Sequence, residues 1–291
     1  MDVRIRPAVP DDGETCGRIL YEAFKGIAEY HRFPLEYSSV RASTALARFF
    51  IRHTAVFCVV AEKDGRVIGV NFLDERDAIG GLGPIAVDPS VQERGIGRLL
   101  MHAVIERGKD AAGIRLTQDA YNTLAMSLYT SLGFDIKEPL GMLKGKPKSK
   151  SRTDVEILAL RSEDLEACAR LCQQVCGFHR TGEMQDAVKY SACFGVKRDG
   201  RIVAYTYSYT AKSEEWILAH GVAETDADMQ TLLLGLGEVS GRPLSFLLPT
   251  RRAALFRWCL SEGLYVAKPG SLMTMGSYQE PYGCYFPSGL Y

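Results

Sequence analysis

The sequence predicts a mixed α/β protein of two related units, each with a twisted β-sheet flanked by helices. Its length of 291 residues fits two domains of ordinary size. Residues 2–20 and 154–172 are identical at seven of nineteen ungapped positions, and each copy runs from an alternating strand into a helix with an acidic start. Each unit also has an Asp-Gly pair between two apolar runs, at residues 64–65 and 199–200, which is typical of a β-hairpin turn.

The first unit can be predicted element by element. Residues 3–7 alternate in polarity and predict a strand, and Pro10 with two following acidic residues marks the start of a helix that we expect to end near Phe24. The aromatic-rich residues 25–37 predict an irregular or partly helical segment. The remaining elements are, in order, a helix over 38–53, a hairpin of strands 55–62 and 67–74, a strand over 80–87, a helix over 95–111, a strand over 114–119 and a helix over 124–132. This order favours a mixed sheet with helices on both faces over a pure βαβ array.

The joint between the two units is predicted at residues 141–153. This stretch is rich in Lys, Gly, Ser and Pro, a composition typical of an exposed linker. Its basic residues also allow an alternative role, the attraction of an anion. We expect a first domain over residues 1–143, a basic linker over 144–153 and a second domain over 154–291.

Composition and charge disfavour several classes of protein. Because 35 Lys and Arg residues balance 35 Asp and Glu residues, the formal net charge is zero, which argues against a nucleic-acid binder. The chain has no run of 18 apolar residues and no apolar segment at its charged N-terminus, so neither a membrane helix nor a secretory signal is expected. The eight cysteines form no CxxC pair and no Cys/His cluster with zinc spacing, so we expect reduced thiols, no metal and a cytoplasmic protein.

One segment of the first unit combines the features of an anion-binding site. An apolar strand ends at Val87, and after a short loop a helix begins at Gly95-x-Gly97. A helix start offers free backbone N–H groups and positive dipole, and glycine lets a phosphate approach the backbone closely. Arg94 and Arg98 add positive charge there. Neither a Walker A loop nor a complete Rossmann GxGxxG fingerprint is present.

Two motifs resemble the GNAT superfamily of N-acetyltransferases. Gln92-x-x-Gly95-x-Gly97 after the apolar strand resembles the acetyl-CoA motif (Q/R)xxGx(G/A) of that superfamily. Asn122-x-x-Ala125-x-x-x-Tyr129-x-x-x-Gly133-Phe134 resembles its NxxAxxxYxxxGF segment. The resemblance implies that the first half is an N-acetyltransferase domain with acetyl-CoA as co-substrate. It also implies that each half has a mostly antiparallel GNAT-like sheet, although the second half shares the resemblance only through the repeat.

The resemblance assigns roles to residues on the strand, the helix start and the later helix. The pantetheine arm is expected to pair with the strand at Ile85, Ala86 and Val87, where the N–H of Val87 would polarise the thioester carbonyl. Tyr129 is the implied catalytic general acid, which would protonate the departing thiolate. The cofactor-binding residues that the resemblance implies are Ile85, Ala86, Val87, Gln92, Glu93, Arg94, Gly95, Ile96, Gly97, Arg98, Asn122 and Tyr129.

The acceptor is expected to be a primary amine, most simply that of a small molecule. Its pocket is implied beside the first two helices, and the candidate substrate residues are Phe24, Tyr30, His31 and Asp119. Packing on the sheet is the alternative role for these aromatic residues. Because the strand over 80–87 holds no carboxylate, we expect a water-mediated base, with Asp119, Asp74 or Glu75 as alternatives.

The second unit is expected to lack a cofactor site. Residues 223–232, at the place of the glycine loop, contain no glycine pair and put three acidic residues at a helix start, where they would repel a pyrophosphate. Aligning Gly133 with Gly263 places Cys259 at the position of Tyr129. We expect a degenerate GNAT-like domain that covers a sheet edge, shapes the acceptor pocket or dimerises; a monomer and a homodimer both fit. For the whole protein the alternative is a CoA-binding sensor or pseudoenzyme without acetyl transfer.

Overall fold

A computed structural model of the chain describes residues 3–91, 95–150, 157–208 and 215–289. The elements of the first half are β1 (Arg4–Pro7), α1 (Gly13–His31), α2 (Val40–Arg52), β2 (Val56–Lys63), β3 (Arg66–Asp74), β4 (Ile79–Leu82), β5 (Ala86–Val87), α3 (Ile96–Arg107), β6 (Gly113–Asp119), α4 (Thr123–Ser131) and β7 (Asp135–Gly145). Those of the second half are β8 (Ile157–Ala159), α5 (Leu165–Cys176), α6 (Thr181–Tyr190), β9 (Ala192–Arg198), β10 (Arg201–Ser208), β11 (Trp216–Ala223), α7 (Asp226–Ser240), β12 (Leu244–Pro249), α8 (Ala253–Ser261), β13 (Tyr265–Gly276) and β14 (Cys284–Phe286).

Both predicted hairpins are present, and their turns explain the Asp-Gly pairs. Asp64 and Gly65 connect β2 to β3 with φ of 50° and 73°, and Asp199 and Gly200 connect β9 to β10 with φ of 51° and 76°. Two successive positive φ angles define the tight turn that matches the twist of paired strands, and Asp and Gly tolerate them best. The same local chemistry therefore closes the same hairpin in each half.

Three predicted boundaries need correction. The helix α1 continues through residues 25–31 and ends at Arg32, which adopts a left-handed φ of 60°. The strand predicted over 80–87 is divided into β4 and β5, because Pro84 lies between them and has no N–H group for a strand ladder. Lys144 and Gly145, expected in the linker, end β7 instead because they pair with β12.

The described strands form one continuous sheet through both halves. Their order is β1-β2-β3-β4-β6-β13-β7-β12-β11-β10-β9-β8, with β5 beside β3 and β14 beside β11. The last long strand of each half crosses to the other: β13 lies between β6 and β7, and β7 lies between β13 and β12. Each half therefore supplies a strand to the sheet of the other, and this exchange fixes the position of the two halves.

Side chains of the exchanged strands are part of the opposite half's core. Met273 of β13 is fully buried in a cluster with Tyr129 and residues of α3, and Leu143 of β7 is fully buried among residues of α7 and α8. Burying one such side chain contributes about 1.5–3 kcal/mol, so the exchange stabilises both halves together. Within the described ranges, no helix combines the length and apolar character that crossing a bilayer requires.

Candidate active site

The sheet opens beside β5. Here β4 pairs in parallel with the beginning of β6, but among the described strands β5 pairs only with β3, where Val87 lies opposite Gly69. Ile85, Ala86 and Val87 therefore diverge from residues 116–119 of β6, and both segments line the same cavity. On this side the edge of β5 has no strand partner among the described strands. Because buried N–H and C=O groups need hydrogen-bond partners, this edge is available to pair with a ligand.

The start of α3 lies at this opening and has the geometry of a phosphate site. Gly95 precedes the helix with a left-handed φ of 96°, and a Cβ atom there would meet nothing within 4 Å. A Cβ at Gly97 would meet only Leu128 Cδ2, at 3.5 Å. Arg98 donates a hydrogen bond to Ser131 Oγ at 2.8 Å, which places its charge between α3 and α4. The free amides of the first helical turn therefore face open space that a phosphate can occupy.

Asp88 holds the turn that follows β5, a role that the sequence analysis missed. Its buried carboxylate accepts hydrogen bonds from Ser90 N at 2.9 Å, Ser90 Oγ at 2.7 Å and Arg66 Nη2 at 2.5 Å. Burial opposes ionisation, but the Ser90 and Arg66 interactions outweigh it and lower the pKa of Asp88. The Asp-Pro-Ser sequence was the available signal, since Asp and Ser commonly bond to nearby turn backbone.

Tyr129 and Asn122 lie on the other side of the opening, on α4. The side chain of Tyr129 is 7% exposed and lines the cavity, and its burial raises the pKa of the phenol. It therefore remains protonated well beyond neutral pH, as a proton donor must. Asn122 Oδ1 accepts a hydrogen bond from Ala125 N at 3.2 Å and so caps α4, while the residue also lines the cavity.

The cavity has a volume of about 1030 Å³ and extends from the β5 opening into the space between the halves. Its first-half wall includes aromatic side chains of α1, α2 and the segment between them: Phe24, Tyr37, Phe49 and Phe50. Its second-half wall comes from α6, β11, β12, β13 and the segment after β14, and includes Asp186, Tyr190, Lys268, Pro287, Ser288 and Gly289. The second half therefore forms a large part of the wall around the candidate site.

The structure brings most of the predicted site residues together, with exceptions. The predicted residues that line the cavity are Phe24, Ile85, Ala86, Val87, Gly95, Ile96, Gly97, Asp119, Asn122 and Tyr129. Arg98 lies beside the opening without lining it. Gln92, Glu93 and Arg94 fall outside the described residues.

Tyr30 and His31 are corrections to the predicted acceptor pocket. Tyr30 is 83% exposed and does not line the cavity, and the His31 ring packs 5.2 Å from that of Tyr121 instead. The reason is that α1 is longer than predicted, so both residues belong to its last turn, beyond the cavity wall.

An ion cluster around the buried Lys268 joins the halves at the cavity wall. Lys268 Nζ of β13 lies 2.6 Å from Glu36 Oε2 and 2.7 Å from Asp119 Oδ1, and Tyr121 donates to Asp119 Oδ2 at 2.7 Å. Burial acts against the lysine charge, but the two carboxylates outweigh it and raise the pKa of Lys268. Sequence reasoning could not identify this lysine, because its partners lie more than 140 residues away.

The corresponding opening in the second half is filled by the chain itself. After two paired positions β11 diverges from β12, and β14 lies in the gap, with Phe286 paired to Gly221. A Cβ at Gly221 would come within 2.2 Å of the Phe286 ring, so only glycine allows this approach. At the start of α7 Asp226 pairs with Arg252, and acidic groups thus occupy the anion-binding end of this helix.

The comparisons with known proteins agree with the geometry of the first half. Residues 20–134 match the model of the Acetyltransferase (GNAT) family. This part of the chain is similar to GNAT acetyltransferase domains. A mycothiol acetyltransferase of Thermomonospora curvata is 41% identical over 80 residues, which cover 26% of each chain. One from Nocardia farcinica is 39% identical over 77 residues, or 24% of this chain and 25% of that protein. The matched segment spans about a quarter of the length of these curated relatives.

Solved structures show that the GNAT-like fold extends through both halves. A candidate acetyltransferase of Pyrococcus horikoshii superposes with a TM-score of 0.77 at 16% identity, over 99% of this chain and 95% of that one. A tandem GNAT protein from the clavulanic acid biosynthesis pathway gives a TM-score of 0.62 at 15% identity, over 96% of this chain and all of that one (100%). The predicted fold class, two GNAT-like units with mixed, mostly antiparallel strands, is therefore confirmed. Within the described ranges, no group of three His, Cys, Asp or Glu side chains is placed to hold a metal ion.

Proposed function

We propose that this protein transfers an acetyl group from acetyl-CoA to a primary amine whose binding site lies between the two halves. The observation that carries the proposal is the convergence of three features on one cavity: the open edge of β5, the glycine start of α3 and the buried phenol of Tyr129. Each feature suits one part of the co-substrate, and the family of residues 20–134 adds independent support.

Acetyl-CoA would lie along the opening from α3 to β5. Its pyrophosphate would accept hydrogen bonds from the amides at the start of α3, where Gly95 and Gly97 leave room. Its pantetheine arm would pair with the free edge of β5, so that Val87 N–H points at the thioester oxygen and stabilises the charge that develops on it. Asn122 would contact the same arm at the start of α4.

The reaction would proceed by direct attack. The neutral amine nitrogen attacks the thioester carbonyl carbon, the C–N bond forms, and the C–S bond then breaks. The departing thiolate takes the proton of Tyr129, and the nitrogen loses a proton to solvent through water. The carboxylates considered as direct bases are engaged elsewhere: Asp119 with Lys268, Asp74 with Arg76, and Glu75 with Arg107. This engagement supports a water-mediated base.

The cavity wall favours an amine on an apolar body. Besides Tyr129, four aromatic side chains of the first half line it, and Tyr190 and Leu247 add apolar surface from the second half. The nearby cluster of Glu36, Asp119 and Lys268 has a net charge of −1, which favours a cationic ligand over an anion. We propose further that the second half binds no CoA, because β14 already occupies its opening.

The test combines calorimetry with turnover. We expect one acetyl-CoA per chain by titration calorimetry, and release of CoA thiol when a panel of primary amines is added: butylamine, octylamine, 2-phenylethylamine and 4-phenylbutylamine. Among the described residues the Tyr129 hydroxyl has no hydrogen-bond partner, so Tyr129→Phe should leave stability and acetyl-CoA affinity nearly unchanged.

The same variant should lower turnover by about 10²–10⁴-fold, the usual contribution of a general acid. Binding of acetyl-CoA without transfer to any amine would support the sensor alternative and refute the proposed reaction. Full turnover by Tyr129→Phe would instead remove this tyrosine from the mechanism.

A further inference from the structure

The C-terminal segment passes from the second half into the wall of the candidate active site. After β14, residues 287–289 line the cavity and contact the first half. Thr117 Oγ1 of β6 donates a hydrogen bond to Gly289 O at 2.6 Å, on the stretch of β6 that faces the opening. The strand that fills the second-half opening thus continues as part of the first-half site.

A buried polar network holds this segment from the other side. Arg180 Nη2 donates to Ser288 Oγ at 3.2 Å, and its guanidinium also pairs with Glu183 and donates to His220 Nδ1 at 3.0 Å. Burial, together with the nearby charges of Arg180 and Arg115, lowers the pKa of His220, so the ring is neutral. Because arginine only donates, His220 Nδ1 is the acceptor and its proton lies on Nε2.

The anchored segment carries only small side chains. Its residues are Pro287, Ser288 and Gly289, and the first two are buried while Gly289 is exposed. A Cβ added at Gly289 would meet nothing within 4 Å, and the backbone there needs no positive φ. This part of the wall is therefore hydrogen-bonded to both halves and leaves open space next to Gly289.

We propose that residues 287–289 determine which amine acceptors fit the site, with Gly289 leaving the space that a long acceptor requires. This inference rests on the proposed function, because it assigns acceptor selectivity to that same site. Two observations support it: the segment lines the cavity, and hydrogen bonds from Thr117 and Arg180 hold it in this position. The small side chains then set the width of the cavity at this point.

The main test is Gly289→Leu, compared with the wild type on the same four amines. The added side chain enters open space, so folding should be unaffected, but it reduces the room for an acceptor. We expect kcat/KM for 4-phenylbutylamine and octylamine to fall at least tenfold relative to that for butylamine. The KM for acetyl-CoA should stay within twofold, since residues 287–289 are not among the residues of β5, α3 and α4 that are expected to hold the cofactor.

Two further variants make the test specific. Ala254→Leu adds a leucine side chain at an exposed position of α8 that does not line the cavity, and it should leave kcat/KM for all four amines unchanged. Thr117→Val keeps the side-chain shape but removes the hydrogen bond to Gly289 O. This should loosen the wall, so the kcat/KM values for long and short amines should differ less than they do in the wild type.

The outcomes separate this inference from the function on which it rests. Transfer by the wild type, with an unchanged amine preference in Gly289→Leu, would overturn the role of residues 287–289 and leave the acetyltransferase proposal intact. A Gly289→Leu variant that loses acetyl-CoA affinity instead would place the segment in the cofactor site and also overturn the inference. If the wild type binds acetyl-CoA but transfers to no amine, both proposals fail.

Discussion

A glutamate at Gly97 should weaken CoA binding by about 100-fold or more without weakening the fold. Gly97 is the second residue of α3, its backbone is helical, and a Cβ there would meet only Leu128 Cδ2, at the ordinary contact distance of 3.5 Å. Glutamate has a higher helix propensity than glycine, by about 0.5 kcal/mol, and an acidic group in the first helical turn contributes about 0.3–1 kcal/mol more. The melting temperature of the free Gly97→Glu protein should therefore be unchanged or slightly raised.

The effect on CoA follows from the position of the new carboxylate. If the pyrophosphate lies on the amides of this helical turn, the carboxylate would be about 5 Å from a phosphate, and at an effective dielectric constant of about 20 the repulsion is about 3 kcal/mol. That energy weakens binding by about 150-fold before any steric overlap is counted. Gly97→Gln has the same shape without the charge and should bind more tightly than Gly97→Glu. Gly97→Ala, which the acetyl-CoA motif itself allows, should bind within about threefold of the wild type.

The assay is titration calorimetry with CoA at two salt concentrations, accompanied by thermal unfolding of each free variant. The difference in affinity between Gly97→Glu and Gly97→Gln should shrink at high salt, because salt screens the repulsion. Wild-type affinity in Gly97→Glu would show that the phosphates do not bind at α3. Equal affinities of the glutamate and glutamine variants would show that the volume of the side chain alone weakens CoA binding, and would refute the electrostatic reasoning.

Two further predictions concern the fold around the site. Phe286→Ala removes a fully buried ring from the second-half opening, so the free energy of unfolding in urea should fall by about 3–5 kcal/mol. Calorimetry should still give one CoA per chain. A second bound CoA would show that β14 is what excludes CoA from the second half. Asp88→Asn should cost about 2 kcal/mol at pH 7, because the lowered pKa of Asp88 provides stability above pH ~4 that is lost as the pH falls through the folded-state value. The difference between the urea midpoints of the two proteins should therefore shrink as the pH is lowered below about 4, and a difference that stays constant from pH 7 into this acid range would contradict the assigned ionisation.

Local chemistry explains which features could be predicted from the sequence. The Asp64-Gly65 turn, the start of α3 at Gly95 and the placement of Tyr129 on α4 each depend on neighbours within one or two turns of chain. Such short-range patterns are visible in a single sequence, and all three lie where the motifs placed them. The end of α1 was less predictable, because the aromatic residues near Tyr30 favour neither a helix nor a loop strongly.

Apart from the turn at Asp88, the features of the site that sequence reasoning missed depend on distant pairings. Lys268 meets Asp119 only because β13 is inserted beside β6, and Gly289 reaches Thr117 only because β14 fills the gap between β11 and β12. A repeat within the sequence predicts two similar units, but it cannot show whether their final strands stay within each unit or exchange. The acceptor side of the cavity is built from these exchanged segments, so it could not be assembled from motifs.

The two halves differ in what pairs with the edge of one diverging strand, which is β5 in the first half and β11 in the second. A diverging strand leaves N–H and C=O groups without partners, and the fold must provide partners for them when they are buried. In the second half β14 pairs with residues 221–223 of β11 and meets this need from within the chain. In the first half the corresponding edge of β5 has no such partner among the described strands, and under the proposed function a pantetheine arm would supply the same amide chemistry. On this proposal, one architecture would provide a ligand site where the edge stays open, and a wall of that site where the chain closes the edge.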